Sequence, residues 1–261
     1  MGCPRFTTAI CVLAISSLPL ISERVRGDIV QYSDNPSSYS QVTTILSIAG
    51  VSAGSETAAT SFIVPGSGSV SLTFTIEKEG GVYDYDFGFF DASAVTAYDP
   101  VTQTEAWATA ALANATHIFS DPVDNTGATE TVSVLGGSEL IFYLIPDNTL
   151  ASFNANPGNF YPSSTVNQEY RAPLFSYTDA NPGQYDQMMS WLDSSAGVTL
   201  FTFEDQTRDS GSDENFADLA FSIDTVLSGT QSPTPEPASI LLLTGIGLIL
   251  VLRRGRRTAS V

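Results

Sequence analysis

The amino-acid sequence predicts an all-β protein: an antiparallel, jelly-roll-like β-sandwich ectodomain between an N-terminal signal peptide and a single C-terminal transmembrane helix. Three observations support this prediction. Short segments have the apolar patterns of β-strands, turns rich in Gly and Pro separate them, and an apolar run lies near each end of the 261-residue chain. The chain is therefore divided into a signal peptide (1–27), an ectodomain (28–227), a linker (228–234) and an anchor segment (235–257).

The N-terminus has the layout of a secretory signal peptide. Arg5 precedes an apolar run over 9–21, and a polar stretch follows it. Val25 and Gly27 are small enough for the −3 and −1 positions of a cleavage site, which places the mature start near Asp28. The alternative is a permanent signal anchor, although the apolar run is shorter than the roughly 20 residues that a membrane span needs.

The strands of the ectodomain are predicted from two kinds of pattern. Apolar and polar residues alternate in some segments, and others are continuous apolar runs, as in a strand buried on both faces. The predicted strands cover residues 70–76, 82–87, 139–145, 198–203 and 219–223. Two segments, 105–113 and 185–192, are candidate helices.

The ectodomain is strongly acidic. Residues 28–235 hold 26 of the 28 acidic residues but only three of the ten basic ones, Lys78, Arg171 and Arg208. Such a surface repels nucleic acid, because phosphate binding requires Lys and Arg. It would attract cations, or it would simply keep exported molecules apart in solution.

Both cysteines, Cys3 and Cys11, lie in the predicted signal peptide, so the mature protein is expected to have no disulfide.

The C-terminal tail has three consecutive parts: the motif Pro235-Glu236-Pro237, an apolar segment over 238–252, and four arginines between 253 and 257. This arrangement resembles the PEP-CTERM sorting signal. The resemblance implies export by the general secretory route, recognition of Pro235, Glu236 and Pro237 by an exosortase, and cleavage near that motif. It also implies a Gram-negative bacterium that makes extracellular polysaccharide. The alternative is an ordinary tail anchor, in which the prolines only interrupt regular structure just before the helix.

Acidic residues are densest just after the fourth predicted strand. Six carboxylates fall within 15 residues there, and like charges at this density are unfavourable unless a cation compensates them. Ca²⁺ is the candidate, because it prefers six to eight oxygen ligands. The spacing is not that of an EF-hand, and the chain has too few Cys and His residues for a zinc site. The candidate calcium ligands are Glu204, Asp205, Asp209, Asp213 and Asp218. The alternatives are a solvated charged loop, or aspartates that cap turns.

The same region resembles the domain-of-unknown-function 4114 family. Phe203-Glu204-Asp205 is followed by Ser-Asp-x-x-Phe-x-Asp-Leu-x-Phe over 212–221, and segments 142–146, 174–177 and 181–183 are also similar to that family. The resemblance spans about 82–224. This chain has Asp186 and Gln187 where the family often has a His, so no role for that His carries over.

Two functions follow as hypotheses. The first is a non-enzymatic component of the cell surface or extracellular matrix that binds cations or extracellular polysaccharide, anchored in the inner membrane and then released. The second is a secreted glycoside hydrolase that uses a carboxylate pair such as Asp84 and Asp86. The first is favoured because the sequence has no catalytic motif: His117 is the single histidine, and no Gly-x-Ser-x-Gly elbow is present. His117 is expected to be structural.

Overall fold

The structure is a computed structural model that describes residues 31, 39–80, 84–95, 104–120, 125–161, 172–181, 185–206 and 215–230. The predicted signal peptide, the motif Pro235-Glu236-Pro237 and the predicted transmembrane segment lie outside the described residues. Among the helices of the described part, none has the length and apolar character needed to span a membrane.

The described part of the chain is built mainly of β-strands. In chain order the strands are β1 Glu56–Thr57, β2 Ser61–Ile63, β3 Gly68–Glu79, β4 Tyr85–Asp91, β5 Thr116–Ser120, β6 Thr129–Gly136, β7 Glu139–Pro146, β8 Leu174–Phe175, β9 Met188–Asp193, β10 Val198–Phe203, β11 Leu219–Ile223 and β12 Ser228–Thr230. Three α-helices accompany them: α1 Ser40–Ala49, α2 Thr104–Leu112 and α3 Leu150–Ala155.

The described strands form two sheets. One has the order β1-β9-β10-β11-β3-β6, and the other has the order β12-β2-β7-β4-β5, with β8 paired to β7. Each strand pair in both sheets is antiparallel. The prediction of an all-β fold made of antiparallel sheets is thus confirmed.

An aromatic core fills the space between the two sheets. Phe142 of β7 contacts Phe201 of β10 with ring centroids 4.7 Å apart, and Phe87 of β4 lies 4.2 Å from Phe221 of β11. These rings are fully buried and come from opposite sheets, which makes the architecture a β-sandwich. Burial of this much aromatic surface is the main favourable contribution to folding.

Helices cover the outer faces of both sheets. Residues 140–146 of β7 are buried on both faces, as predicted, because α2 and α3 pack on the side away from the sandwich core. On the other sheet, Val42, Ile45 and Leu46 of α1 pack against Trp191 of β9 and Leu200 of β10. The apolar spacing of these three residues, i, i+3 and i+4, is the pattern of an amphipathic helix, although α1 was not predicted.

One of the two candidate helices is correct and the other is wrong. Residues 105–113 correspond to α2, but 185–192 is mostly β9. Met188 of β9 pairs with Phe203 of β10, and this pairing between strands outweighs the local helical preference of the segment.

Residues 228–230, assigned to the linker, form β12 and pair with β2, so the folded domain extends to Thr230.

The turn between β9 and β10 fixes the register of these two strands. The Asp193 carboxylate is buried and accepts hydrogen bonds from Ser195 Oγ (2.6 Å), from the backbone N–H of Ser52 (2.7 Å) and from the backbone N–H groups of Ser195 and Ala196. These hydrogen bonds, led by that of the Ser195 hydroxyl, lower the pKa of Asp193 to about 2. The turn is therefore anchored by an ionised carboxylate.

Candidate metal centre

The candidate centre lies at one end of the three strands β9, β10 and β11, one residue beyond the regular ladder. The Glu204 N–H donates a hydrogen bond to the Gln187 carbonyl oxygen at 3.0 Å, and the Asp218 N–H donates to the Phe203 carbonyl oxygen at 3.1 Å. Gln187 and Glu204 therefore stand directly opposite each other, and Asp218 is the residue just before Leu219, the partner of Phe203, so these three residues form an extra row at the end of the sheet. This row is called the site row below.

Three acidic side chains meet at the site row. Glu204, Asp205 and Asp218 each place one carboxylate oxygen within 4.8 Å of the others. Glu204 and Asp205 are only 3% and 2% exposed, and Asp218 is half-buried. Three of the five candidate ligands are thus brought together. The other two, Asp209 and Asp213, lie outside the described residues.

Backbone hydrogen bonds hold these carboxylates in position. Glu204 Oε2 accepts from the Phe216 N–H at 3.2 Å, and Asp218 Oδ2 accepts from the Asp205 N–H at 3.0 Å. Phe216 has a positive φ of 52°, which is unusual for a residue other than Gly. Its buried ring packs edge-on against Tyr39, next to α1, with the centroids 6.0 Å apart. Packing of the Phe216 ring beside α1 therefore stabilises the strained backbone conformation in which the Phe216 N–H points toward Glu204.

Lys78 links the same turn to the rest of the fold. Its ammonium group donates hydrogen bonds to the Ala217 carbonyl oxygen (2.5 Å) and to Gln41 Oε1 of α1 (2.8 Å). Lys78 is one of the few basic residues of the acidic domain, and it lies on β3 opposite Ala220 of β11. The residues before Asp218 are thereby connected to both β3 and α1.

The charge of this cluster is compatible with a bound cation. Two ionised carboxylates with oxygens 4.8 Å apart, the upper limit of the separations within this cluster, would repel by about 3.5 kcal/mol at an effective dielectric constant of about 20. Burial of Glu204 and Asp205 removes the water that would otherwise screen this repulsion. The attraction between a metal ion and each of the three carboxylates would outweigh the repulsion among them. Glu204, Asp205 and Asp218 therefore form a buried acidic cluster that can hold a metal ion.

A second polar cluster surrounds Asp86 of β4, and it stabilises the fold. Asp86 Oδ2 accepts a hydrogen bond from the Leu150 N–H at the start of α3 (2.8 Å). Asp86 Oδ1 accepts the Ser120 hydroxyl proton and lies 3.5 Å from His117 Nε2. Burial opposes ionisation of Asp86, but the hydrogen bonds from His117, Ser120 and Leu150 outweigh it, so the pKa of Asp86 is below its usual value. The carboxylate thus satisfies the N–H of the first residue of α3, whose N-cap residue is Thr149.

This second cluster does not have the geometry of a nucleophilic triad. In a triad, the histidine lies between the serine and the aspartate and bonds each with a different ring nitrogen. Here the Ser120 hydroxyl donates directly to Asp86, and His117 Nε2 is also 2.9 Å from the same hydroxyl. His117 lies on β5 beside Asp86, and its structural role stays a prediction.

A comparison with known families identifies part of this region. The family described as Domain of unknown function (DUF4114) matches residues 135–225. The match begins at the end of β6 and ends just after β11, so it contains the whole site row and Asp205. It is shorter than the expected span of about 82–224, because residues 82–134 are not part of it. No curated protein and no solved structure matches the chain.

Proposed function

We propose that this chain is an exported, non-catalytic protein of the cell surface or extracellular matrix whose β-sandwich domain binds Ca²⁺ through Glu204, Asp205 and Asp218. The observation that supports it best is the burial of two carboxylates beside a third at the end of one sheet. A bound cation is the simplest compensation for that arrangement.

The chemistry of the donor atoms favours Ca²⁺ among the metal ions. The cluster consists of carboxylate oxygens, which are hard ligands, and Ca²⁺ accepts six to eight such oxygens in a flexible geometry. Zinc would prefer Cys or His ligands. Two further acidic residues of the same segment, Asp209 and Asp213, are available in the sequence as additional ligands.

The cellular part of the proposal depends on the two ends of the chain. A signal peptide over 1–27 would direct export, and the motif Pro235-Glu236-Pro237 would direct sorting and cleavage by an exosortase. The four terminal arginines would keep the tail end in the cytoplasm and the body outside it until cleavage. Extracellular polysaccharide is the proposed partner, with the folded domain as the binding module.

Calcium-dependent thermal unfolding of the purified full chain tests the cation site. At 10 mM Ca²⁺, a site with a Kd of about 0.1 mM, typical of extracellular modules, adds about 2.7 kcal/mol to the free energy of unfolding. For a domain of this size that raises the Tm by roughly 5–11 °C. An unchanged Tm in Ca²⁺ compared with EDTA would rule out the site.

Intact mass spectrometry of the protein recovered outside the cell tests export and sorting. The expected mass corresponds to a chain that starts near Asp28 and ends near Pro235-Glu236-Pro237. Recovery of the chain only from the cytoplasm would refute this part of the proposal. A glycan array with added Ca²⁺ then tests the partner, and turnover of a bound glycan that a single Asp→Asn change abolishes would support the hydrolase hypothesis instead.

A further inference from the structure

Gln187 has a buried side chain whose amide oxygen makes no hydrogen bond. The residue is 2% exposed, and among the described residues Oε1 has no hydrogen-bond donor. An unsatisfied buried acceptor reduces the free energy of unfolding, because water solvates that oxygen in the unfolded chain. Most buried polar groups are satisfied, so an exception of this kind calls for a ligand or another physical explanation.

The register of the strands places Gln187 next to Glu204. Beyond the Met188–Phe203 pair, the backbone hydrogen bond from Glu204 to Gln187 makes these two residues direct neighbours across the strands. Side chains directly opposite each other have Cβ atoms about 4.5–5.5 Å apart and lie on the same face. Asp218 lies on the other side of Glu204, one residue before Leu219, the partner of Phe203 on β11. Gln187 therefore belongs to the same row as two of the three acidic residues.

We propose that Gln187 supplies an uncharged fourth oxygen ligand to the cation held by Glu204, Asp205 and Asp218. This inference rests on the cation function proposed above. Amide oxygens of Asn and Gln are regular ligands of Ca²⁺, which needs more donors than three carboxylates provide. A neutral ligand adds coordination without adding a fourth negative charge to a cluster that is already repulsive. Ion binding would also satisfy the buried oxygen.

Thr202 provides a matched comparison one row away. Its hydroxyl is also fully buried, and among the described residues it has no hydrogen-bond partner. Thr202 is two residues before Glu204 on β10, so its side chain is on the same face but about 6.5 Å further along the strand. Removal of its hydroxyl perturbs a similar buried position without removing an oxygen from the site row.

The experiment is calcium titration by calorimetry of the full chain after EDTA treatment, with Gln187→Met compared against Thr202→Val. Methionine keeps the length of the side chain but offers no oxygen. We expect Gln187→Met to weaken Ca²⁺ binding at least about tenfold, the lower end of what loss of a supporting group at a metal site produces. Thr202→Val should bind Ca²⁺ as the wild type does.

Thermal unfolding in EDTA separates loss of a ligand from damage to the fold. Because Gln187→Met removes an unsatisfied acceptor, the metal-free variant should unfold at the same temperature as the wild type or higher. Equal Ca²⁺ affinity of the wild type and Gln187→Met would overturn the role of Gln187 and leave the carboxylate site standing. A lower Tm of the variant in EDTA would also overturn it. A wild type that binds no Ca²⁺ would overturn the proposed function together with this inference.

Discussion

Replacing Glu204 with Gln should stabilise the metal-free protein and reduce the effect of calcium. Glu204 lies between Asp218 and Gln187 in the site row, and its carboxylate belongs to two of the three pairs in the cluster. At about 3.5 kcal/mol for each pair, up to about 7 kcal/mol of repulsion disappears in Glu204→Gln. The glutamine still offers an oxygen to the Phe216 N–H. The change therefore removes charge while it keeps the hydrogen bond.

The expected shift in Tm is measurable even if most of this repulsion is screened. If solvent and neighbouring groups screen about four-fifths of the repulsion, about 1.4 kcal/mol remains, which corresponds to roughly 3–6 °C in Tm for a domain of this size. In 10 mM Ca²⁺ the wild type should gain roughly 5–11 °C, and Glu204→Gln should gain less than half as much. Thermal unfolding followed by circular dichroism, in EDTA and in Ca²⁺, measures both quantities.

Glu130→Gln is the matched control for this prediction. Glu130 is exposed on β6 outside the cluster, so the control removes one negative charge without changing the site. Its calcium shift should equal that of the wild type. A Glu204→Gln variant with a lower Tm in EDTA and the full calcium shift would contradict this prediction. That result would mean that the carboxylates neither repel one another nor bind the ion.

Three predictions concern the fold that supports the site. The folded pKa of Asp193, about 2, is below its unfolded value of about 3.9, so its stabilising effect is complete above about pH 4 and is lost as the pH falls toward 2. In Asp193→Asn, the urea midpoint of unfolding should therefore decrease less between pH 4 and pH 2 than it does in the wild type. Phe142→Ala should lower the free energy of unfolding by about 3–5 kcal/mol in urea titrations, because the ring is fully buried between the sheets. Gly88→Ala should unfold at a much lower temperature than Gly54→Ala, since its Cβ would lie 2.1 Å from the Thr116 carbonyl oxygen; equal values would contradict the pairing of β4 with β5.

The sequence predicts strands well where a pattern repeats along the chain. Residues 198–203 and 219–223 coincide with β10 and β11, because short segments dominated by apolar residues between turn-forming stretches are typical of buried strands. The same local reasoning fails at 185–192. There Met188 and its neighbours become a strand through pairing with β10, which no local pattern reveals. The missed helix α1 did carry a signal, the spacing of its apolar residues.

The candidate site likewise has some residues that the local sequence predicts and one that only strand pairing reveals. Acidic density alone points to Glu204, Asp205 and Asp218, because these residues lie close together along the chain and flank two predicted strands. Gln187 carries no such signal. It reaches the cluster only through the register of β9 against β10, and its unsatisfied oxygen is visible only once the side chains are packed.

An anomalous difference map from crystals grown in millimolar Ca²⁺ would locate the ion. We expect a single strong peak among the carboxylates of Glu204, Asp205 and Asp218, with metal–oxygen distances of about 2.3–2.6 Å. Glu204→Gln crystals grown in the same way should lose that peak. A wild-type map without a peak at the cluster, at a Ca²⁺ concentration that raises the Tm, would contradict the assignment of the ion to these three residues.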